Sequence, residues 1–156
     1  MTILGIDPGL NHTGFGIISA SHNQFSYISS GVIKNHGKTD FFDKIQTIVS
    51  GIKTIIEKFK PQIASIEKVF VNVNPNSTLL LGQARGAAIA TCTIYDLKIF
   101  EYTALQIKKT VTGYGHASKK QIQKIVAILL NMNNIVATDA ADALATALTH
   151  AFFKQI

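Results

Sequence analysis

The segment Ile3-Leu4-Gly5-Ile6-Asp7-Pro8-Gly9 constrains the fold of this chain more than any other. A short apolar run ends on an acid and passes straight into Pro-Gly, the pattern of a buried strand entering a tight turn. Proline presets φ there, and glycine accepts backbone conformations that other residues avoid. Asp7 therefore stands at the rim of a sheet. It either caps the turn with a side-chain oxygen or is held there for chemistry, and other segments of the chain bear on that choice.

Residues 14–20 and 25–33 are β-prone and are separated by the polar turn Ser21-His22-Asn23-Gln24, so the first three strands are expected to form an antiparallel meander. Phe41, Phe42, Ile45, Ile48, Val49, Ile52, Ile55, Ile56 and Phe59 then recur at i, i+3, i+4 spacing. This predicts a long amphipathic helix beginning near Asp40 and ended by Pro61. Its length suits a crossover into Ile63-Ala64-Ser65-Ile66-Glu67, a second apolar strand that closes on an acid. Side chains alternate along strands, so Ile3, Gly5 and Asp7 share one face, and so do Ile63, Ser65 and Glu67. If the two strands are parallel neighbours, both carboxylates meet at one sheet edge.

Residues 76–95 read as a helix that is nearly uniformly apolar, with Leu79, Leu80, Leu81, Ala84, Ala87, Ala88, Ile89 and Ala90, and burial on most sides is expected. Gly82 and Gly86, one turn apart, admit close approach of another backbone, from this chain or from a second copy. Lys98-Ile99-Phe100-Glu101-Tyr102 supplies a fifth strand, with Glu101 read as an ordinary strand-end charge. Thr103-Ala104-Leu105-Gln106 and Ser118-Lys119-Lys120-Gln121 both fit the capping box that opens a helix. The second of these helices is expected to bury Ile122, Ile125, Val126, Leu129 and Leu130 and to turn Lys120, Gln123 and Lys124 to solvent.

Composition bears on partners. The formal net charge is +6 and the pI about 9.5. The interval from Glu101 to Asp139 contains no acid but holds Lys108, Lys109, Lys119, Lys120 and Lys124, which predicts a surface facing a polyanion. Lysines in a first turn oppose the helix dipole, so Lys119 and Lys120 beside free N–H groups point to a phosphate seat. The lone Cys92 sits in an apolar run, which excludes an internal disulfide or cysteine zinc site and suits a reducing compartment. No secretory signal and no apolar run near the roughly 20 residues of a membrane span are present, so a cytoplasmic protein with no membrane partner is expected. The 156 residues are expected to form one domain, 1–156.

The last helix opens on Thr138-Asp139-Ala140-Ala141-Asp142-Ala143-Leu144, with Asp139 and Asp142 on one face about 5–6 Å apart. First-turn acids also suit the helix dipole, and one of them could serve as the N-cap. Of the nine acids, Asp7, Glu67, Asp139 and Asp142 fall at the ends of predicted core elements. Converging carboxylates repel and raise one another's pKa unless a cation neutralises them. An all-oxygen set suits Mg²⁺, which keeps waters and shares substrate phosphate oxygens, and two such ions about 4 Å apart could serve phosphodiester hydrolysis.

Gly5-Ile6-Asp7-Pro8-Gly9, Ile66-Glu67-Lys68-Val69-Phe70, Leu81-Gly82-Gln83-Ala84-Arg85-Gly86 and Asp139-Ala140-Ala141-Asp142-Ala143-Leu144-Ala145, in this order and spacing, resemble the RuvC family of Holliday junction resolvases. The resemblance covers essentially the whole chain. It implies an α/β, ribonuclease H-like fold with a five-stranded mixed sheet flanked by helices. It also implies a homodimer that nicks two like-polarity strands of a four-way DNA junction, leaving 5′-phosphate and 3′-hydroxyl ends, and that works with a branch-migration motor. By position, Asp7, Glu67, Asp139 and Asp142 match the family's catalytic acids, which bind Mg²⁺ or Mn²⁺. Lys108 and Lys119 match basic substrate-contacting positions, and Phe70 matches an aromatic that meets DNA bases. The sequence ends soon after the last helix, without the longer basic tail of some relatives. An actin-like ATPase would need a second phosphate loop and a second lobe, and a noncatalytic DNA-binding module leaves the four acids unexplained. A related single-domain nuclease acting on other branched or RNA-containing substrates is the nearer alternative.

Overall fold

The structure, a computed structural model, describes all residues except 23, 36, 38, 39, 70–73 and 156. Strands β1 (Thr2–Asp7), β2 (His12–Ser21) and β3 (Gln24–Lys34) form the expected meander. Helix α1 (Phe41–Phe59) carries the chain to β4 (Ile63–Lys68), and α2 (Pro75–Ile94) carries it to β5 (Lys98–Thr103). Helices α3 (Ala104–Thr112), α4 (Lys119–Leu129) and α5 (Thr138–Lys154) follow. The five strands lie in the order β3-β2-β1-β4-β5, with β1/β4 and β4/β5 parallel and the other pairs antiparallel, a mixed sheet as anticipated.

Local chemistry accounts for the helix boundaries. The Asp40 carboxylate accepts from the amides of Phe42 and Asp43 at 2.8 and 3.2 Å, and α1 stops at Lys60 in the left-handed conformation, just before Pro61. Both anticipated capping boxes form, Thr103 with Gln106 on α3 and Ser118 with Gln121 on α4. Each satisfies orphan amides at both ends of the first turn.

Alternation along β1 divides the core between two layers. Leu4 and Ile6 pack with Ile48, Ile52, Ala84, Ala88 and Cys92 of α1 and α2, whereas Ile3 packs with Ile122, Val126, Leu144 and Leu148 of α4 and α5. On the α5 side, Gly5 pairs with Gly16 across β1/β2, and Asp7 pairs with Gly14. A methyl group on Gly5 would collide with the carbonyl of Ala143, and one on Gly14 with the carbonyl of Asp139. Helix α5 therefore lies directly on bare strand backbone, helped by its buried Ala140, Ala141, Ala143 and Ala147. This contact sets the first turn of α5 over the end of β1.

Helix α2 departs from expectation. Only Ala84, Ala88, Thr91 and Cys92 are buried on it, while Leu79 and Ile94 are 61% and 76% exposed. Gly82 and Gly86 face no described atom that an added methyl would meet within 4 Å. Uniform apolarity carries no direction, so the sequence could not indicate that α1 and the sheet cover one face only. Cys92 is fully buried, as anticipated. Among the described residues, no helix is long and apolar enough to cross a membrane.

Candidate active site

The parallel register Ile3↔Ile63 and Gly5↔Ser65 carries through Ile6↔Ile66, so Asp7 and Glu67 lie side by side on one face where both strands end. The conditional adjacency read from the two strands is thus met. Asp142 comes from α5, Lys108 from α3 and Lys119 from the first residue of α4. Asp7, Glu67, Asp142, Lys108 and Lys119 line one pocket of about 240 Å³, walled by Ala104, Ile107 and Ile122. Past Asp7 and Glu67 a second recess of about 230 Å³ continues along Pro8, Val69 and Leu81.

Asp139 does not line that pocket. It is half-buried in the first turn of α5, near enough for its charge to act on Asp7 and Asp142. Neither aspartate is the N-cap, a position held by Ala137 without any side-chain bond. Lys120 is exposed and also stays outside the pocket, because one residue along a helix rotates the side chain by about 100° from Lys119. Phe70 lies outside the described residues. A larger cleft of about 550 Å³, between Phe25, Tyr27, Met132 and Val136, has no acidic or basic side chain in its lining, so size is not the guide to chemistry here.

The turn-cap reading of Asp7 is not needed to close the turn, since Thr13 Oγ1 donates to the Gly9 carbonyl at 2.7 Å. Burial pushes the Asp7 carboxyl up from 3.8 to about 7, with Glu67, Asp142 and Asp139 adding to the rise and Lys119 opposing it. Burial and Asp142 likewise raise Glu67, against Lys108 and Lys119. Burial also raises Asp142, opposed chiefly by Lys119, whose Nζ stands 3.9 Å from Asp142 Oδ2, and by Lys108, while Asp139 adds to the rise. These carboxylates carry more negative charge than two lysines relieve. That excess and an all-oxygen donor set fit a hard divalent cation. Among the described residues no three His, Cys, Asp or Glu side chains stand close enough together to hold a metal ion as they are placed.

Several residues hold this arrangement that sequence reasoning missed. Ser65 Oγ donates to the Thr146 carbonyl at 2.8 Å, and Thr146 Oγ1 donates to the Asp142 carbonyl at 2.8 Å, a relay from β4 to the turn carrying Asp142. Gln123, expected in solvent, is half-buried and donates Nε2 to the Val136 carbonyl at 2.9 Å, tying α4 to the segment that leads into α5. Arg85 Nε donates to the Glu67 carbonyl at 3.1 Å, and its guanidinium pairs with Glu101, which is therefore not a plain strand-end charge. Two signals were available in the sequence. Glycines recur at Gly5, Gly14 and Gly16, and the chain's single arginine interrupts an apolar helix.

The Crossover junction endodeoxyribonuclease RuvC family model matches residues 3–150. Crossover junction endodeoxyribonuclease RuvC of Cupriavidus pinatubonensis is 54% identical over 151 residues, covering 97% of this chain and 83% of that protein. A structure of Thermus thermophilus RuvC is similar with a TM-score of 0.89 at 26% identity, covering 99% of this chain and 96% of that one. T. thermophilus RuvC in complex with a Holliday junction substrate gives 0.91 at 26% identity, covering 99% and 95%. Sequence and fold agree along nearly the full length, and the chain belongs to the RuvC family of crossover junction endodeoxyribonucleases.

Proposed function

We propose that this chain is a Holliday junction resolvase that hydrolyses DNA phosphodiesters with divalent metal ions held by Asp7, Glu67, Asp139 and Asp142. The carrying observation is that Asp7, Glu67 and Asp142 share one pocket with Lys108 and Lys119 in a chain of this family. Three carboxylates and two ammonium groups around one pocket offer a seat for a cation and another for a phosphate. A relative of similar fold has been solved with a Holliday junction substrate, which supports the same substrate for this chain.

When bound, two Mg²⁺ ions, with Mn²⁺ as a substitute, would activate the attacking water and neutralise charge on the leaving oxygen. Asp7, on the central strand, would be the ligand common to both ions, and Glu67 and Asp142 would complete the set. Asp139, in the first turn of α5 outside the pocket lining, would orient the attacking water or accept its proton. Lys108 and Lys119 bind the phosphate being cut, and Lys120 and Phe70 extend the contact to neighbouring DNA. The products are 5′-phosphate and 3′-hydroxyl ends.

Paired cuts need two sites. The exposed stripe of Leu79, Gly82, Gly86, Ala90 and Ile94 on α2 supports a homodimer in which a second copy covers that face. Residues 1–156 then act as one nuclease domain in the cytoplasm, alongside a branch-migration motor.

Incubating the protein with Mg²⁺ and a four-way junction, a linear duplex or an RNA–DNA hybrid tests the reading. Symmetrical nicks in the junction alone are expected, and Asp7→Asn should bind the junction without cutting it. Retained cutting by Asp7→Asn, or equal cutting of the linear duplex, would contradict it.

A further inference from the structure

Arg85 stands on the flank of the buried face of α2, with its side chain 20% exposed and directed at the sheet. It touches two strands at once. Its Nε donates to the main-chain carbonyl of Glu67 at 3.1 Å, and its guanidinium pairs with the carboxylate of Glu101 on the adjacent strand. In the β4/β5 register Ile66 faces Glu101 and Glu67 faces Tyr102, near the end of the paired segment. The β4/β5 ladder continues for only one more pair, Lys68 with Thr103, so a side-chain donor on the Glu67 carbonyl helps fix the Glu67 backbone and with it the Cα from which its carboxylate projects.

We propose that Arg85 is a positioning residue for Glu67, with Glu101 holding the guanidinium in the orientation that lets Nε reach the Glu67 carbonyl. The planar fork suits this task, because it serves two acceptors in a fixed relation, which a lysine ammonium on a flexible stem does not. The assignment rests on the metal-dependent reading above, since the consequence of a displaced Glu67 is a weaker cation site. It also makes the proposed dimer helix the element that braces one of the site's acids.

Two simpler roles compete with this one. Arg85 could be only the counter-ion of Glu101, or it could contact a DNA phosphate. Mn²⁺ binding by calorimetry, junction affinity without metal, and single-turnover cleavage against Mg²⁺ concentration separate them for the full chain and its Arg85→Ala, Arg85→Lys and Arg85→Ala/Glu101→Gln variants. Partners that orient metal ligands are typically worth about 10–100-fold in metal affinity. Arg85→Ala is therefore expected to weaken Mn²⁺ binding about tenfold and to raise the Mg²⁺ requirement, with metal-free junction affinity unchanged within about twofold. Arg85→Lys should fall between it and the parent chain, and it carries the test if Arg85→Ala does not fold.

Recovery of parental Mn²⁺ affinity in the double variant would reduce Arg85 to a counter-ion and overturn the proposal. Lost junction affinity with intact Mn²⁺ binding would overturn it in favour of a phosphate contact. If the parent chain cuts no junction while Arg85→Ala still loses Mn²⁺ affinity, the junction assignment fails and the role of Arg85 toward Glu67 stands.

Discussion

Ser65 donates its fully buried hydroxyl to the main-chain carbonyl of Thr146 across 2.8 Å, joining β4 to α5 two residues before Glu67 and one turn after Asp142. Removing the hydroxyl leaves a small void and loses a hydrogen bond whose net worth is about 1 kcal/mol. Ser65→Ala should therefore lower the melting temperature by about 2–4 °C. Its cleavage rate at 25 °C should fall severalfold although the protein stays folded, because the link sets the spacing between two acids. Calorimetry and single-turnover cleavage on the same preparation check this.

A side chain on β1 beneath α5 should be far more damaging. The methyl of Gly5→Ala meets the Ala143 carbonyl, and neither backbone can yield without lifting the helix. Overpacking of this kind costs roughly 1–3 kcal/mol or more. Here it also displaces Asp142, so the surviving folded fraction should cut no junction. Gly14→Ala acts on the backbone of Asp139 and should impair cleavage with a comparable loss of stability, read by denaturant unfolding.

The raised carboxyl of Asp7 gives the metal-free protein a pH signature. Its folded value of about 7 exceeds the ordinary 3.8, so between those values the native state keeps a proton that the unfolded chain releases, and stability falls as pH rises through this window. Asp7→Asn removes the effect. It should be more stable than the parent at pH 8, by up to about 4 kcal/mol given 1.36 kcal/mol per pKa unit, and the two should converge near pH 4. Added Mg²⁺ should narrow the gap at pH 8 by stabilising the parent alone. Urea titrations across pH, with and without Mg²⁺, provide the measurement.

Lys119 and Lys120 should separate in function. Lys119→Ala removes a cation that lines the acid pocket and lies beside Asp142, so it should weaken junction binding, reduce the slope of log affinity against log salt by about 1, and slow cutting. Lys120→Ala should change the salt slope similarly but leave the cutting rate of bound junction near the parental value. Binding across a salt series and single-turnover rates distinguish the two.

A charge on the open face of α2 should uncouple the paired cuts. Leu79→Asp sits on the exposed stripe, away from the core, and should leave the melting temperature of the subunit nearly unchanged while shifting sedimentation toward monomer. Junctions would then carry single nicks in place of paired ones.

What could be read in advance followed local rules. Period-two alternation put Asp7 and Glu67 on matching faces of two strands, and a helix of crossover length suited a parallel pairing whose adjacency only the register of β1 and β4 supplied. Both capping boxes announced their helices from four residues each. Features that depend on what faces a residue were harder to see. The apolar α2 had no polar side to mark its exposed face. Gln123 looked like any solvent-facing residue of an amphipathic helix, until the Val136 carbonyl supplied its partner. Glu101 looked ordinary because Arg85 lies on a separate element and reaches it only in three dimensions.

The seat of α5 has a consequence for how such a nuclease can diversify. Side-chain layers can usually be re-shimmed by exchanging one apolar residue for another, which moves a helix by fractions of an ångström. Here strand and helix touch through main-chain atoms, and no alternative residue is smaller than glycine. The height of the acids on α5 above those on β1 is thus a fixed datum. New substrate preference must come from the adjustable walls, the faces of α3 and α4 that carry Lys108 and Lys119.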